Sequence, residues 1–198
     1  MEEIRRLKKR LEAYIPCNEQ EEKDKELMLR YLAPGEEVLY RESAGAHMSA
    51  SAWVVNKNRD KVLMAYHNIY DSWAWTGGHA DGEADLLKVA VREAMEETGI
   101  TRVTPVMEDI FSIEVLTVDG HEKKGVYVSS HLHLNVTYLL EADESQVLHS
   151  KADENSGVLW FGLEECLEAV NEPWMRERIY RKLLGKMGDM DEGMPCRL

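Results

Sequence analysis

Three glutamates on one short segment are the side chains of this chain best suited to chemistry. Glu93 is followed by Glu96 and Glu97 in the run Arg92-Glu93-Ala94-Met95-Glu96-Glu97. In a helix, residues three and four positions apart are neighbours, so the three carboxylates lie together. Their repulsion costs roughly 0.2 to 0.5 kcal/mol per pair, and a hard divalent cation with oxygen ligands offsets it. The spacing therefore predicts a divalent-metal site.

The helix that carries these glutamates must also pack against the rest of the protein. Helical periodicity over about residues 84–98 places its apolar residues on one side, which we expect to face a sheet. These residues are Leu87, Ala90, Val91, Ala94 and Met95. Gly77 and Gly78 form a tight turn before the helix, and Gly99 is placed to end it. An acidic helix face is usually only a solvated surface, but the flanking glycines and Arg92 favour a functional site.

Four of the seven histidines form a second group of candidate ligands. His131 and His133 alternate with Asn135 along a predicted strand, so all three side chains project from one face. His47 precedes a strand that contains a tryptophan, and His79 follows the Gly-Gly turn. Each histidine alone is most simply a surface or hydrogen-bonded residue. Together, His47, His79 and His133 are predicted to approach each other and bind either a metal or a substrate phosphate.

Composition limits the partners of the chain. A formal net charge of −13 argues against sequence-independent nucleic-acid binding, which needs many Lys and Arg residues. The three cysteines, Cys17, Cys166 and Cys196, are scattered and odd in number, which suits a reducing cytoplasm. The sequence has no apolar run of membrane-spanning length, and its first ten residues are charged rather than signal-like. We therefore expect a cytoplasmic protein with a small-molecule partner, and neither a nucleic acid nor a membrane.

Periodicity and turn residues divide the chain into three parts. Residues 1–42 predict two helices, at 2–15 and 19–32, the second capped by Asn18 with Glu21, and nothing in this extension indicates chemistry. Residues 43–185 form the predicted domain. Residues 186–198 are rich in Gly, Met and Asp and are predicted to be a flexible tail.

The predicted domain mixes strands with helices. The strands are expected at 51–56, 61–67, 72–75, 109–118, 126–141 and 157–161, and the helices at about 84–98, 163–170 and 173–184. This mixture of strands and packed helices predicts the α/β class, with an α/β/α sandwich built on a mixed sheet.

The segment from Gly78 to Ile100 resembles the Nudix box. That box has a Gly, a spaced Glu and then Arg-Glu-aliphatic-any-Glu-Glu-any-Gly-aliphatic, which Arg92-Glu93-Ala94-Met95-Glu96-Glu97-Thr98-Gly99-Ile100 matches. A looser resemblance to the Nudix fold covers residues 43–184. The resemblance implies a Nudix-type sandwich and a hydrolase that cleaves the diphosphate linkage of a nucleoside-diphosphate-like substrate.

The resemblance also implies roles for these residues and a cofactor, Mg²⁺ or Mn²⁺. Glu96 and Glu97 would be metal ligands, and Glu93 would be either a ligand or the base that activates the attacking water. Arg92 would orient a carboxylate. Main-chain carbonyls of Gly77 or Gly78 would complete the metal shell. Such sites work because the metal neutralises a diphosphate, which otherwise repels nucleophiles.

One position departs from the box. Ala84 stands where the first box glutamate is expected, with Glu83 and Asp85 beside it. In the family this glutamate mostly supports the arginine and the loop. Asp85 shares a helix face with Arg92 and is predicted to substitute in part. The departure also fits a catalytically weak or silent Nudix-like binding or regulatory domain, although three retained helix glutamates favour the hydrolase.

Other features add alternatives. His47 ahead of Trp53 and the turn Gly77-Gly78-His79 resemble elements of the isopentenyl-diphosphate isomerases, but Gly77 stands in place of their catalytic cysteine. Nudix enzymes often take a further carboxylate from a later loop, and Asp153 or Glu154 is the candidate here. Nudix domains often pair, so we also expect a homodimer, with the N-terminal helices as its interface.

Overall fold

The computed structural model describes residues 2–123 and 125–191, and its main feature is an eight-stranded mixed sheet. The sheet strands are β1 (Ala46–Val55), β2 (Lys61–His67), β3 (Ser72–Ala74), β4 (Thr76–His79), β5 (Thr104–Pro105), β6 (Ser112–Val118), β9 (His131–Glu141) and β10 (Asn155–Gly162). The path is β10-β2-β1-β9-β5, while β3, β4 and β6 pair with β2, β1 and β9. The sheet is mixed because β1 and β9 are parallel and the other pairs are antiparallel.

Helices cover both faces of this sheet, and a small hairpin lies outside it. The helices are α1 (Glu2–Ala13), α2 (Glu19–Leu32), a 3-10 turn (Glu36–Leu39), α3 (Leu86–Thr98), α4 (Leu163–Ala169), a π-helical turn (Met175–Tyr180) and α5 (Arg181–Asp191). The hairpin pairs β7 (His121–Lys123) with β8 (Val126–Val128). Within residues 2–123 and 125–191, every helix is too short or too polar to cross a membrane.

Two apolar clusters give the three layers of the sandwich. Strand β1 is buried along its whole length, and its residues alternate between the two clusters. Ala52 joins the cluster that contains Val89 of α3, whereas Trp53 joins the cluster that contains Cys166 of α4 and Leu183 of α5. The predicted α/β/α sandwich with a mixed sheet is therefore confirmed.

The face that α3 buries is rotated from the predicted one. Leu86, Val89, Ala90 and Ala94 are buried, whereas the predicted core residues Leu87, Val91 and Met95 are only partly buried. The packing of the helix also covers Glu97, so its buried face includes Leu86 and Val89. Gly99 ends the helix in the left-handed conformation with φ of 75°, as its position predicts.

Several strand boundaries also differ from those predicted. β1 begins at Ala46 rather than near residue 51, because its first residues are small or polar and carry little strand signal. The long strand predicted over 126–141 is two strands, β8 and β9, separated at Ser129–Ser130. The two-residue strand β5 is absent from the sequence prediction, since it is set by pairing with β9 and not by local pattern.

The described helices at both ends of the chain pack against the domain to a greater extent than predicted. Leu7, Leu11 and Met28 of α1 and α2 join the core cluster on the α3 side. Helix α5 continues through Asp191, so residues 186–191 are helical and not part of a flexible tail. The reason is Lys186, whose buried side chain pairs with Glu21. The remaining tail residues, 192–198, lie outside the described part.

Candidate active site

Glu97 is the box glutamate most closely held by the protein. Its side chain is buried where α3 packs beside β4, and the Gly77 N–H donates to its Oε1 at 3.0 Å. A glycine is required there, because a Cβ on Gly77 would lie 2.5 Å from Ser51 Oγ and 2.8 Å from the Ala50 carbonyl oxygen. The Gly77 N–H therefore fixes the Glu97 carboxylate beside the main chain of β4. The predicted tight turn at Gly77-Gly78 is wrong, because both glycines lie within strand β4 and pair with Ser51 and Ala50 of β1.

Glu93 lies next to the second of these glycines. A Cβ on Gly78 would be 2.5 Å from Glu93 Cδ, so only glycine admits the carboxyl group at this place. Arg92 Nη2 donates to Glu93 Oε1 at 2.8 Å, which is the carboxylate-orienting contact that the box resemblance implies for this arginine. Glu93 and Glu97 thus both lie against the Gly77-Gly78 segment of β4.

Glu96 is separate from the other two. Its carboxylate is half exposed and lies 4.0 Å from Arg92 Nε and 3.8 Å from Lys151 Nζ. Across residues 2–123 and 125–191, Glu93, Glu96 and Glu97 do not form a ready-made group of ligand atoms around one ion position. Glu96 instead pairs with the basic side chains of Arg92 and Lys151 at the surface.

The surroundings of Glu97 disfavour the charged form of its carboxyl group. Burial, together with the charges of Glu93 and Glu154, raises the pKa of Glu97 to about 8, although the Gly77 N–H and Lys151 act in the opposite direction. A carboxylate in this position is stabilised by additional positive charge. Two mostly buried carboxylates beside the two glycines of β4 are oxygen ligands that suit a hard divalent cation, so the residues present fit Mg²⁺ or Mn²⁺.

Lys151 and Asn155 are site residues that the sequence reasoning missed. Buried Asn155 donates from Nδ2 to the Glu97 carbonyl oxygen at 3.1 Å and accepts from the Lys151 N–H at 2.8 Å. Lys151 Nζ is 2.8 Å from Glu154 Oε2, and this contact brings the predicted extra carboxylate to the edge of the site. The charged residues just before β10 are the sequence feature that could have indicated a role for Lys151 in the site.

The residues around the altered box position do not act as predicted. Ala84 is buried in the core, and Glu83 Oε1 accepts the Asp85 N–H at 2.8 Å. Asp85 lies 3.9 Å from Lys88, whereas Arg92 bonds to Glu93. The expectation that Asp85 supports Arg92 is therefore wrong, because Asp85 is the N-cap residue of α3 and Arg92 reaches an adjacent carboxylate instead.

The histidines come together as predicted. His47 of β1 is level with His133 of the parallel strand β9, and His79 of β4 pairs with the β1 residue Ser49. The His47, His79 and His133 ring centroids are 4.9 Å apart in all three pairs. His131 joins them, with its ring centroid 4.8 Å from that of His47. We call these four residues the imidazole cluster.

A polar row on the same sheet face supports the imidazole cluster. Asn135 Oδ1 accepts from the hydroxyls of Ser49 at 3.1 Å and Ser51 at 2.9 Å. Its Nδ2 donates to Glu114 Oε2 at 3.0 Å, and Glu114 in turn pairs with Lys182 of α5 at 2.9 Å. This buried network ties β1, β6 and β9 to α5 and holds their register.

The family of this chain follows from its sequence as a whole. The family model of the NUDIX domain matches residues 45–183, which is more than half of the chain. The chain therefore belongs to the Nudix family. A comparison with curated proteins finds no match.

Solved structures share the fold at low sequence identity. A C. elegans Ap4A hydrolase binary complex is similar with a TM-score of 0.53 and 22% identity, over 74% of this chain and 98% of that chain. The E. coli dihydroneopterin triphosphate pyrophosphohydrolase gives 0.50 and 14%, over 69% and 94%. A Nudix hydrolase from M. smegmatis gives 0.50 and 15%, over 76% and 89%. At these identities the likeness shows the fold alone.

Proposed function

We propose that this chain is a Mg²⁺- or Mn²⁺-dependent hydrolase that cleaves the diphosphate linkage of a nucleoside-diphosphate-like small molecule. The observation that carries the proposal is the placement of Glu97. Its carboxylate is buried against the Gly77 N–H beside a second box carboxylate, and its pKa is raised to about 8. A structural surface helix has no need for a buried and uncompensated carboxylate.

Glu97 and Glu93 would hold the metal, together with a main-chain carbonyl of the Gly77-Gly78 segment of β4. Glu96 is half exposed on the same helix, and its carboxylate would turn toward the same ion. When bound, the metal would neutralise the diphosphate and make a water molecule more acidic.

The chain's own residues would orient the reactants. Gly77 fixes Glu97 through its N–H, and Arg92 holds the Glu93 carboxylate at 2.8 Å. In hydrolysis, a water oxygen bonds to phosphorus, a bridging P–O bond breaks, and a base takes the proton of the water. Glu93 is the candidate base when it does not itself bind metal. Lys151 lies close enough to Glu96 and Glu154 to balance charge at the mouth of the site.

The test is a substrate panel. Chelator-treated full chain would be incubated with nucleoside-diphosphate sugars, dinucleoside polyphosphates including Ap4A, nucleoside triphosphates and dihydroneopterin triphosphate, with Mg²⁺, Mn²⁺ or neither. We expect a phosphate-containing product of at least one compound, seen by ³¹P NMR, only when metal is added. Absence of product across the panel at high protein concentration would contradict the proposal.

A silent Nudix-like binding domain is the second candidate, and the buried Ala84 at the box glutamate position favours it. It predicts that a panel compound binds in calorimetry with metal present and is recovered intact. The isomerase alternative is weakened at Gly77, because the Ala50 carbonyl and Ser51 leave no room there for a cysteine side chain. The proposal includes a cytoplasmic location, because of the scattered cysteines, and a homodimer, because Nudix domains often pair.

A further inference from the structure

The imidazole cluster brings ring nitrogens, and not only ring faces, together. His79 Nε2 and His131 Nε2 each lie 3.3 Å from His133 Nε2. An imidazole nitrogen carries either one N–H or one lone pair, so His133 Nε2 cannot make two ordinary hydrogen bonds to them at once. At least one of these two contacts is therefore not an ordinary hydrogen bond.

The outer nitrogens of two rings are already used. His131 Nδ1 lies 2.9 Å from the Ser129 carbonyl oxygen, and His47 Nδ1 lies 3.4 Å from the Ser43 carbonyl oxygen. A carbonyl oxygen only accepts, so each of these Nδ1 atoms carries the N–H and leaves Nε2 as a lone pair. Carbonyl contacts of this kind are what orient histidine ligands around metals.

His47 supplies an independent sign of a missing partner. The residue is 4% exposed, and its Nε2 is buried with no hydrogen-bond partner among the described residues. Buried polar atoms are rarely left in this state, because losing water without a replacement costs about 1 to 3 kcal/mol. The unpartnered nitrogen belongs to the ring that contacts the other three rings of the cluster.

The spacing of these nitrogens suits a small cation. Donor atoms of His47, His79 and His133 all lie within 4.8 Å of one another. Nitrogens placed tetrahedrally about 2.0 to 2.1 Å from an ion are about 3.3 to 3.4 Å apart. The His79–His133 and His131–His133 nitrogen separations are both 3.3 Å and already have that value.

The hydrogen bonds of the rings favour a metal over a phosphate. His47 and His131 direct their Nδ1 N–H groups toward carbonyl oxygens, so their Nε2 atoms carry lone pairs. A metal ion binds such lone pairs, whereas a phosphate oxygen needs an N–H donor. The cluster is therefore better suited to a cation than to a phosphate.

We propose that His47, His79 and His133 form a site for one transition-metal ion of the Zn²⁺ class, with the His131 ring packed beside these three ligands. Imidazole nitrogen suits Zn²⁺ and Co²⁺, whereas Mg²⁺ requires oxygen ligands, so this site is chemically distinct from the glutamate site. The two sites are neighbours, because Gly77 and His79 lie on the same short strand, about 7 Å apart along the chain. The proposal does not depend on hydrolase activity.

The experiment measures metal stoichiometry in the full chain made without a polyhistidine tag. Chelator-treated protein would be loaded with Zn²⁺ or Co²⁺ in excess Mg²⁺, dialysed, and assayed for metal by mass spectrometry. We expect one ion per chain in the native protein and in two controls, Glu97→Gln at the other site and His149→Gln at an exposed histidine. Co²⁺ should give the visible absorption of a tetrahedral nitrogen-ligated site.

Variants of the cluster should lose that ion. His133→Gln is expected to retain no stoichiometric Zn²⁺, and His131→Gln to weaken its affinity about tenfold or more. Retention in both variants, or loss in Glu97→Gln, would overturn the proposal. So would binding of inorganic phosphate by the metal-free native chain with no Zn²⁺ uptake. If His133→Gln does not fold, X-ray absorption of the Zn²⁺-loaded native chain decides: nitrogen neighbours at about 2.0 to 2.1 Å support the site, and oxygen neighbours alone contradict it.

Discussion

Glu21 and Glu97 are both buried glutamates, at 0% and 6% exposure, but their surroundings are opposite in charge. Glu21 on α2 accepts hydrogen bonds from Lys186 Nζ at 2.7 Å and Ser112 Oγ at 2.9 Å, and Lys182 Nζ lies 3.2 Å away. Around Glu97, the Gly77 N–H is joined by two further carboxylates, Glu93 and Glu154, and by the more distant Lys151.

The two pKa values express this difference. Burial alone would raise the pKa of Glu21, but Lys182 and Lys186 outweigh it and bring the value to about 2. Burial and like charges raise the pKa of Glu97 to about 8. The chain supplies its own cations to the first glutamate, which joins the N-terminal and C-terminal helices. Around the second glutamate negative charges predominate, and a buried glutamate in such surroundings is a candidate for function rather than for stability.

The same substitution at the two glutamates separates these roles, and Glu21→Gln should have the larger effect on stability. It leaves Lys186 buried without its charged partner, which typically costs about 3 to 5 kcal/mol. We expect urea denaturation to show a loss of that size, with hydrolysis of the best substrate changed less than about threefold. Glu22→Gln, exposed on the same helix, is the control. A Glu21→Gln protein as stable as the native chain would show that the ion pairs contribute nothing.

Acid should act through Glu21 in a defined direction. Its folded pKa, about 2, lies below the ordinary 4.5, so the unfolded chain takes up the proton first and protonation favours unfolding. This contribution, up to about 3 kcal/mol, is fully present above about pH 4.5 and is lost as the pH falls toward 2. Free energies of unfolding at pH 6, 4 and 3 should therefore fall more steeply in the native chain than in Glu21→Gln. Parallel curves would contradict the assignment.

Glu97→Gln should show the reverse pattern. The amide keeps the shape of the side chain but removes the charge that would hold the metal, so kcat should fall at least about a hundredfold. Thermal unfolding in chelator should stay the same or move upward, because the glutamine buries no charge. The matched control is Glu168→Gln, an exposed glutamate on α4. Equal rates in native chain and Glu97→Gln would remove Glu97 from the catalytic machinery.

Gly78→Ala tests whether the position of the Glu93 carboxyl group matters, and its expected effect is smaller. The added methyl group would meet Glu93 Cδ at 2.5 Å, so the carboxyl group must move while the backbone stays in place. We expect kcat to fall about tenfold, since displacements of an ångström or so are costly in a catalytic site. Gly188→Ala on α5, where a Cβ meets nothing within 4 Å, should leave activity unchanged and stability equal or slightly higher. Full activity in Gly78→Ala would show that Glu93 is not needed where it lies.

The elements that could be predicted from the sequence are those whose signals, such as periodicity and capping residues, lie within one segment of the chain. Helix α3 and its Gly99 end follow from periodicity and a glycine cap, and β2 was predicted with the bounds that it has. The box residues Arg92 and Glu93 could be recognised because the whole motif lies within one short segment of the chain. Alternation along β9 also showed that His131, His133 and Asn135 share a face, since a strand has a period of two.

The burial and the partners of these residues are visible only in the tertiary structure. Periodicity placed Glu97 on a solvated face, but the packing of α3 against β4 buries it, whereas Glu96 stays exposed. Glu21 looked like half of a helix cap, yet its carboxylate meets Lys186 from the other end of the chain. The four rings of the imidazole cluster come from three strands, and strand register fixes their approach. Burial and long-range pairing arise from contacts between distant segments, which no local pattern encodes.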